Sequence, residues 1–564
     1  MSEAREIEAE VAVVGAGPAG IVVALELARA GHRVALVESG AERPDPWTQA
    51  LGETVGGDPL HVEMDLATRR QLGGASNMWG GRCVPFDPID FEPRAVAGNV
   101  SWPLPYEDVS AYFQRACEWC RCGDATFTAT EVPGLDDGAI VPGFRDGEVR
   151  GSTLERWSLP TNFGAVYRQA LEGTPNLRLL TGLTCTEVVA RSGGSERGGR
   201  AVEHLLLRDR GGGSTALRAR RYVIAAGGLE STRLLFASTG QDRDGLGNHS
   251  GHLGRWYMAH VEARVGQVRF ATDPARTIYG HERDPEGVYL RRRFTLDPAA
   301  QVAAELPNVA LWTVNPEVGD ASHRSGVLSF VYLMLASPLG GRFVAEGIRQ
   351  AHLRTRRPTT VRAHLRNVAA DFVPAARFAA SFGYRRFVRR GRKVPGFYVP
   401  SAANRYPLLY HGEHLPQFES RAEPTAVRDE LGMPRLRTHL HFSERDVAAV
   451  REAHEVLDRS LREQGLGEVE MLYDDVEAAV REQLFGGYHQ AGTTRMSARP
   501  EDGVLDADLA VHGFDDLFVA SSSAFPTSSQ ANSTFTLTAF AVRLADRLAA
   551  DLAGNARPAL ELAS

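Results

Sequence analysis

One stretch near the N-terminus constrains the fold more than any other: "VAVVGAGPAGIVVALELARAGHRVALVESG", from Val11 to Gly40. An apolar run from Val11 reads as a buried strand. Pro18 to Ala30 carries apolar residues at helical spacing, and the run from His32 reads as a second strand. The pattern is β-α-β, with Gly15, Gly17 and Gly20 in the first turn. Gly15 allows a tight turn, Gly17 lets the backbone approach a pyrophosphate, and Gly20 lets helix and strand pack closely. With Pro18 opening the helix, phosphates would meet its positive end. Glu38, with Ser39 beside it, ends the second strand. A carboxylate there accepts hydrogen bonds from a ribose diol and would repel a 2′-phosphate. This predicts a dinucleotide site. The motif alone leaves FAD or NAD open.

A chain of 564 residues exceeds one ordinary core, so two or more structural units are expected. A net charge of -7 argues against a nucleic-acid binder. Five cysteines, an odd and sparse set, form no disulfide framework and fit a reducing compartment. "CEWCRC", Cys117 to Cys122, falls in a predicted helix with no second cluster, so it reads as thiols rather than a metal site. The N-terminus has no signal-peptide pattern, and no run of about 18 apolar residues spans a membrane. A cytoplasmic location is expected.

Residues 46 to 160 are loop-rich. "NLRLLTGLTCTEVVARS", from Asn176, reads as a strand pair, and a β-meander with Gly/Ser turns follows. Tyr222 to Ala226 reads as a buried strand ending in the small residues Ala225 to Gly228. Small residues let the backbone lie close to a cofactor, and a late strand returning to the first sheet favours FAD. Between Arg342 and Lys393 stand fourteen Arg/Lys against two acids, Glu346 and Asp371. The plain reading is a solvated helical face; the sharper one is a patch for a partner protein, an anionic substrate or a membrane surface.

Two further stretches carry chemistry. "QLGGASNMWGGRC", Gln71 to Cys83, suggests a glycine-rich loop against a large flat ligand, or a connection capped by a buried Trp79. "YHQAGTTRMS" places His489 before a tight turn, and Asn532 stands near the start of a predicted C-terminal helix, where free N–H groups favour negative charge. The plain alternative for Asn532 is an N-cap.

The ordered segments "VVGAGPAG", "GGASNMWGGR", "YVIAAGGLESTRLL", "GLGNHSGHLGR", "YHQAGTTRM" and "FVASSSAFPTSSQANST" run from Val13 to Thr534. Together they resemble the glucose–methanol–choline (GMC) flavin oxidoreductases, strongly at both ends of the chain and weakly in the middle. The resemblance implies an α/β fold. A Rossmann-like FAD-binding domain with a β-meander is joined to a substrate-binding domain whose antiparallel sheet is flanked by helices. The expected division is FAD domain 6–100, a substrate-domain excursion 101–154, FAD domain 155–260, substrate domain 261–484 with the 342–393 insertion, and FAD domain 485–555.

The resemblance also implies roles. His489 becomes the base and Asn532 its partner in oxidising an alcohol to a carbonyl, with FAD as the electron acceptor. Cofactor contacts fall on Gly15, Gly17, Pro18, Gly20, Glu38 and Ser39, on Gly74, Ser76, Asn77, Met78 and Trp79, and on Val188, Ala226 and Ser231. Ser522, Asn532 and Thr534 fall near the isoalloxazine. Two departures matter. Met78 stands where some members have a histidine bound covalently to the flavin, so FAD is expected to be non-covalent. Ser521 replaces the usual aspartate of the late motif. "GGRCVPFDPIDFEPR" and "FPTSSQANST" look closest to the bacterial sugar- and glycoside-oxidising branch, which includes pyranose oxidases. That implies a secondary hydroxyl of a sugar, glycoside or polyol as donor, and oxygen or a quinone as acceptor. His249, His252 and His260 then read as a loop beside the cofactor rather than a metal site.

Overall fold

Val11–Val14 and Val34–Glu38 lie side by side in parallel, with the helix Pro18–Arg29 between them in sequence. Leu177–Thr181, Arg221–Ile224 and Leu517–Val519 complete a five-stranded sheet in which every pairing is parallel. Strands buried on both faces are apolar, which is why VAVV and VALV show no alternation; only Glu38, at the strand's end, is polar. The C-terminal helix Ser533–Leu552 packs along Pro18–Arg29 and closes this core. The computed structural model describes residues 5–554 except 136–139, 195–198, 241, 339, 343–345 and 354–359.

The expected strand pair from Asn176 is divided between two sheets. Leu177–Thr181 joins the parallel sheet beside Val34–Glu38. Gly182, at φ +72°, turns the chain, and Thr184–Gly194 begins an antiparallel meander with Arg200–Arg208 and Ser214–Arg218. Two strands a short turn apart read as a hairpin, but a buried parallel edge offered the first one a better partner. The late buried strand is Arg221–Ile224, so Ala225 and Ala226 already belong to the turn before the helix Gly228–Ala237.

The second large unit is an eight-stranded sheet. Its order is Gly467–Met471, His260–Phe270, Arg405–Glu413, Val309–Thr313, Tyr289–Leu296, Val149–Trp157, Arg82–Cys83, with Glu282–Arg283 paired off Tyr289–Leu296. The helix Glu444–Glu463, opened by a Ser443/Asp446 capping box, buries its apolar side against this sheet. Val149–Trp157 runs across the boundary expected at 154/155, and Arg82–Cys83 joins it from the first FAD-side segment. The sheet is therefore assembled from chain segments on both sides of the cofactor motifs.

The Arg-rich segment forms the helices Glu346–Leu353, Val361–Ala370 and Phe372–Gly383; its residues 343–345 and 354–359 lie outside the described residues, as does residue 555 at the end of the last expected segment. Val361–Ala370 and Phe372–Gly383 pack on the helix Gly326–Ala336. Among the described residues no helix is long and apolar enough to cross a membrane. All five cysteines are buried and free, with Cys117 and Cys120 on the helix Phe113–Cys120.

Candidate active site

A cleft enclosing about 1370 Å³ of empty space, its open mouth included, runs along the end of the parallel sheet. Its wall includes Gly15, Gly17, Pro18, Glu38, Ser39, Gly74, Ser76, Trp79, Ala226, Ser522, Thr534 and His489. The three turn glycines differ in what surrounds them. A Cβ on Gly15 would lie 2.5 Å from the Ala225 carbonyl oxygen at φ +99°, and one on Gly20 would lie 1.8 Å from the Gly15 oxygen. Those two are demanded by the fold. A Cβ on Gly17 would meet only Gly74 Cα, at 4.0 Å. Gly17 is thus left bare toward the cleft, as a backbone that receives a phosphate must be. Glu38 Oε2 accepts from the Ala16 N–H and Oε1 from the Gly40 N–H, both at 2.9 Å, which fixes the carboxylate at the cleft wall. The cleft, the bare Gly17 and the fixed acid fit an adenine dinucleotide.

Other residues named from the sequence brace the wall or stand behind it. Asn77 is a strut: its Nδ2 donates to the carbonyls of Leu72 and Gly74, and its Oδ1 accepts from Asn162. Met78 lies between Asn77 and Trp79 at the end of the short Gly74–Asn77 turn of helix. Trp79 is half-buried, and its indole N–H donates to the Thr161 carbonyl at 2.8 Å. Val188 does not reach the cleft. Its N–H donates to Ser238 Oγ, and Leu183, Thr184 and Cys185 line the wall at that edge instead. Ser231 is fully buried in the helix Gly228–Ala237, away from the wall.

At the far end of the cleft His489 meets Asn532. Asn532 is the N-cap of the helix Ser533–Leu552, yet its side chain makes no capping bond. Arg82 Nη1 donates to Asn532 Oδ1 at 2.5 Å, and Asn532 Nδ2 lies 2.9 Å from His489 Nε2. A guanidinium can only donate, so the amide oxygen must face Arg82 and the amide N–H must face the imidazole. His489 Nε2 is therefore the acceptor, a lone pair held in place. The turn after it is anchored from both sides. Ser522 Oγ donates to the Gln490 carbonyl, and Gln490 Oε1 accepts from the Leu229 N–H. Gly492, at φ +90°, passes so close to the Trp256 carbonyl that no Cβ fits.

The eight-stranded sheet supplies the rest. Glu262 stands directly across from His411 on neighbouring strands, and His260 is on the same face two residues before Glu262. His411 Nδ1 donates to the Gln530 carbonyl at 2.7 Å, and its Nε2 lies 3.4 Å from Glu262. The rings of His260 and His489 are 4.8 Å apart, edge to face. His260, His411 and His489 bring three nitrogens within 4.8 Å of one another, close enough to share an ion. His249 and His252 lie elsewhere, on Pro500 and Trp256. Glu155 pairs with Arg82 and Arg291, and the guanidinium groups of both arginines lie over the Trp312 ring.

Burial is the main force on the His489 ring, with the His411 and Arg82 charges adding to it against Glu262; the imidazole is pushed down to about 3. His260 is held well below its ordinary value by burial and by the neighbouring histidines. Burial pushes Glu155 up, but Arg291, Arg82 and Arg293 outweigh it and hold the carboxyl at about 2. The pocket thus presents the neutral imidazoles of His260 and His489 beside Arg82 and Arg291, which share the single carboxylate of Glu155. Arg82, Glu155, Glu262 and His411 were not read as parts of this site from the sequence, and His260, expected on a loop beside the cofactor, instead opens the strand His260–Phe270. The available signals were the arginine closing "GGR" and the charged run "LRRRF" inside a buried strand.

Residues 419–541, which include both His489 and Asn532, match the family model described as GMC oxidoreductase, and residues 9–59 match the one described as pyridine nucleotide-disulphide oxidoreductase. The chain thus carries a GMC oxidoreductase C-terminal domain and an FAD-binding fold, with FAD as cofactor. Among relatives, a 2-methyl-1,2-propanediol dehydrogenase of Mycolicibacterium austroafricanum is 22% identical over 96% of this chain and 95% of its own. A C-glycoside 3-oxidase of Arthrobacter globiformis is 32% identical over 26% of this chain and 27% of its own. Among solved structures, an FAD-dependent oxidoreductase from Chaetomium thermophilum covers 97% of this chain and 100% of its own at 15% identity and a TM-score of 0.52, a likeness of fold.

Proposed function

We propose that this protein oxidises an alcohol to a carbonyl with FAD, and that its substrate is a secondary hydroxyl of a sugar, glycoside or related polyol. The observation that carries the reaction is the Arg82–Asn532–His489 chain, which holds an unprotonated imidazole nitrogen at the end of the cofactor cleft. An alcohol proton is weakly acidic, so a positioned base must take it as the carbon-bound hydrogen leaves. The bound alcohol displaces the Asn532 N–H from His489 Nε2, which then accepts the hydroxyl proton, while the Asn532 N–H turns to the alcohol oxygen as charge develops on it. Bound FAD supplies the two-electron acceptor. Gly15, Gly17, Pro18, Glu38 and Ser39 hold its adenine half, and Gly74, Ser76, Trp79, Ala226, Ser522 and Thr534 line the remainder. Met78 has no group to link to the flavin, so the cofactor is released on denaturation.

The names of the relatives support an alcohol donor: the C-glycoside 3-oxidase fits a sugar-like substrate, whereas 2-methyl-1,2-propanediol carries only a primary and a tertiary hydroxyl, so that name favours a second reading, a primary alcohol. The five buried, free thiols suit a reducing cytoplasm. The parallel sheet and meander form the FAD domain and the eight-stranded sheet the substrate domain, which contributes the His260/Glu262/His411 wall. The test is an anaerobic screen of alcohols, sugars and glycosides for bleaching of the flavin absorbance, with the carbonyl product identified and the reduced enzyme then mixed with oxygen or a quinone. Bleaching by a hydroxylated sugar or glycoside supports the reading. Conversion of substrate without bleaching would replace it with isomerisation or elimination chemistry.

A further inference from the structure

The helices Val361–Ala370 and Phe372–Gly383, with the helical turn Tyr384–Val388 that follows, expose what a folded protein ordinarily hides. Val361, Leu365, Phe372, Val373, Tyr384 and Val388 are each between 55% and 67% exposed, although such residues elsewhere in the chain are mostly buried. Val361 and Leu365 stand four residues apart on one helical row, and Arg362 and Arg366 form the row beside it, also exposed. Arg377, Arg385, Arg389 and Arg390 continue the basic character, and none of these six arginines forms an ion pair with a described residue. The opposite faces of the helices are used. His364 is buried and stacks on Tyr332 at 3.9 Å, and Phe378 packs on Phe382 and Phe397. The exposed apolar row is thus a second face, beyond what the core of the segment needs.

We propose that this face lies on an anionic lipid bilayer, with the arginines at the headgroups and Val361, Leu365, Phe372, Val373 and Val388 in the acyl boundary. Charge decides against a second copy of the chain: a two-fold contact through this face would set the arginines against themselves. A protein interface of this kind would also have a core depleted of charge, whereas here Arg362 and Arg366 alternate with Val361 and Leu365, and Arg385, Arg389 and Arg390 flank Val388. Interleaved bases and large apolar residues on short helices suit the plane of a membrane interface, where arginine stems snorkel and their heads meet phosphate. No described helix crosses a bilayer, so the association lies on the surface. The chain carries a net charge of -7, so the basic face also orients the protein toward an anionic surface.

The test is flotation of the FAD-loaded protein with vesicles of phosphatidylcholine alone or with 30% phosphatidylglycerol. It needs no turnover, so its result is independent of the proposed reaction. Binding to the anionic vesicles, release in 0.5 M NaCl, and at least a tenfold loss of bound fraction in Phe372→Ser/Val388→Ser and in Arg362→Gln/Arg366→Gln are expected. All four positions are exposed, and flavin absorbance and melting temperature check that the variants fold. Equal binding to both vesicle types, or variants that bind like the wild type, would overturn the proposal. So would a failure to float accompanied by a dimer that Phe372→Ser abolishes, which would assign the face to a second copy.

Discussion

At the residue scale, one amide is held by two partners. Asn532 gives its oxygen to Arg82 and its N–H to His489, so each neighbour fixes the next. Removing the base by His489→Ala is expected to slow flavin reduction by an alcohol about 10²- to 10⁴-fold, the usual worth of a positioned general base, with FAD still bound; stopped-flow absorbance measures it. Arg82→Met frees the amide to rotate and is expected to slow the same step about tenfold. The depressed His489 value sets a pH dependence. A base held near 3 stays unprotonated where an ordinary histidine takes a proton below about 6.5. The reduction rate is therefore expected to stay level down to about pH 5 instead of dropping below 6.5. His489 and Asn532 were legible because each opens or follows a local motif. Arg82 was not, since it bonds to Asn532 across 450 residues of sequence. His411 and Glu262 were illegible for a related reason: strand pairing, absent from the sequence, sets them opposite each other.

At the scale of elements, the strand–turn–helix at the N-terminus was legible almost residue by residue, because its glycines obey local geometry. It also separates fold from cofactor. Gly20→Ala collides with backbone at 1.8 Å and is expected to lower the yield of folded protein. Gly17→Ala has room in the protein and is expected to fold with a melting temperature near that of the wild-type apoprotein, yet to bind FAD at least tenfold more weakly, as flavin titration would report. Equal FAD affinity in Gly17→Ala would move the phosphates elsewhere. The strand pair from Asn176 misled because a short glycine turn is common to hairpins and to sheet-switching connections; only the competing buried edge of Val34–Glu38 decides between them. Val188 was misplaced from the wall for the same reason, since the meander turns its N–H toward Ser238.

At the scale of the whole molecule, several histidines are buried neutral. His281 and His489 are pushed down to about 3 and His454 to about 4, in each case chiefly by burial. The unfolded chain accepts protons at these rings below about 6.5 while the folded chain refuses them, so stability falls as pH falls from 6.5 toward those values, by up to about 1.4 kcal/mol per ring for each pH unit. Asp90 and Asp516, raised mainly by burial to about 7 and about 6, oppose this by taking protons in the folded state first. Asp506 is raised by burial as well, but burial also lowers His61, His260 and His414, so the buried imidazoles outnumber the raised carboxyls. The melting temperature is expected to fall between pH 6.5 and 4.5, with net proton uptake on unfolding; a level or rising melting temperature would contradict the balance. The middle of the chain was least legible because its sheet gathers strands from distant segments, Arg82–Cys83 among them. The central claim is that His489 takes a proton from an alcohol whose carbon-bound hydrogen passes to FAD. Its most direct test is anaerobic stopped-flow bleaching of the flavin by an alcohol found in the screen, protiated or deuterated at the carbinol carbon, in the wild type and in His489→Ala. A primary isotope effect in the wild type and a rate lower by about 10²-fold or more in the variant are expected; a wild-type bleaching rate unchanged by deuterium and by loss of His489 would contradict proton transfer to His489.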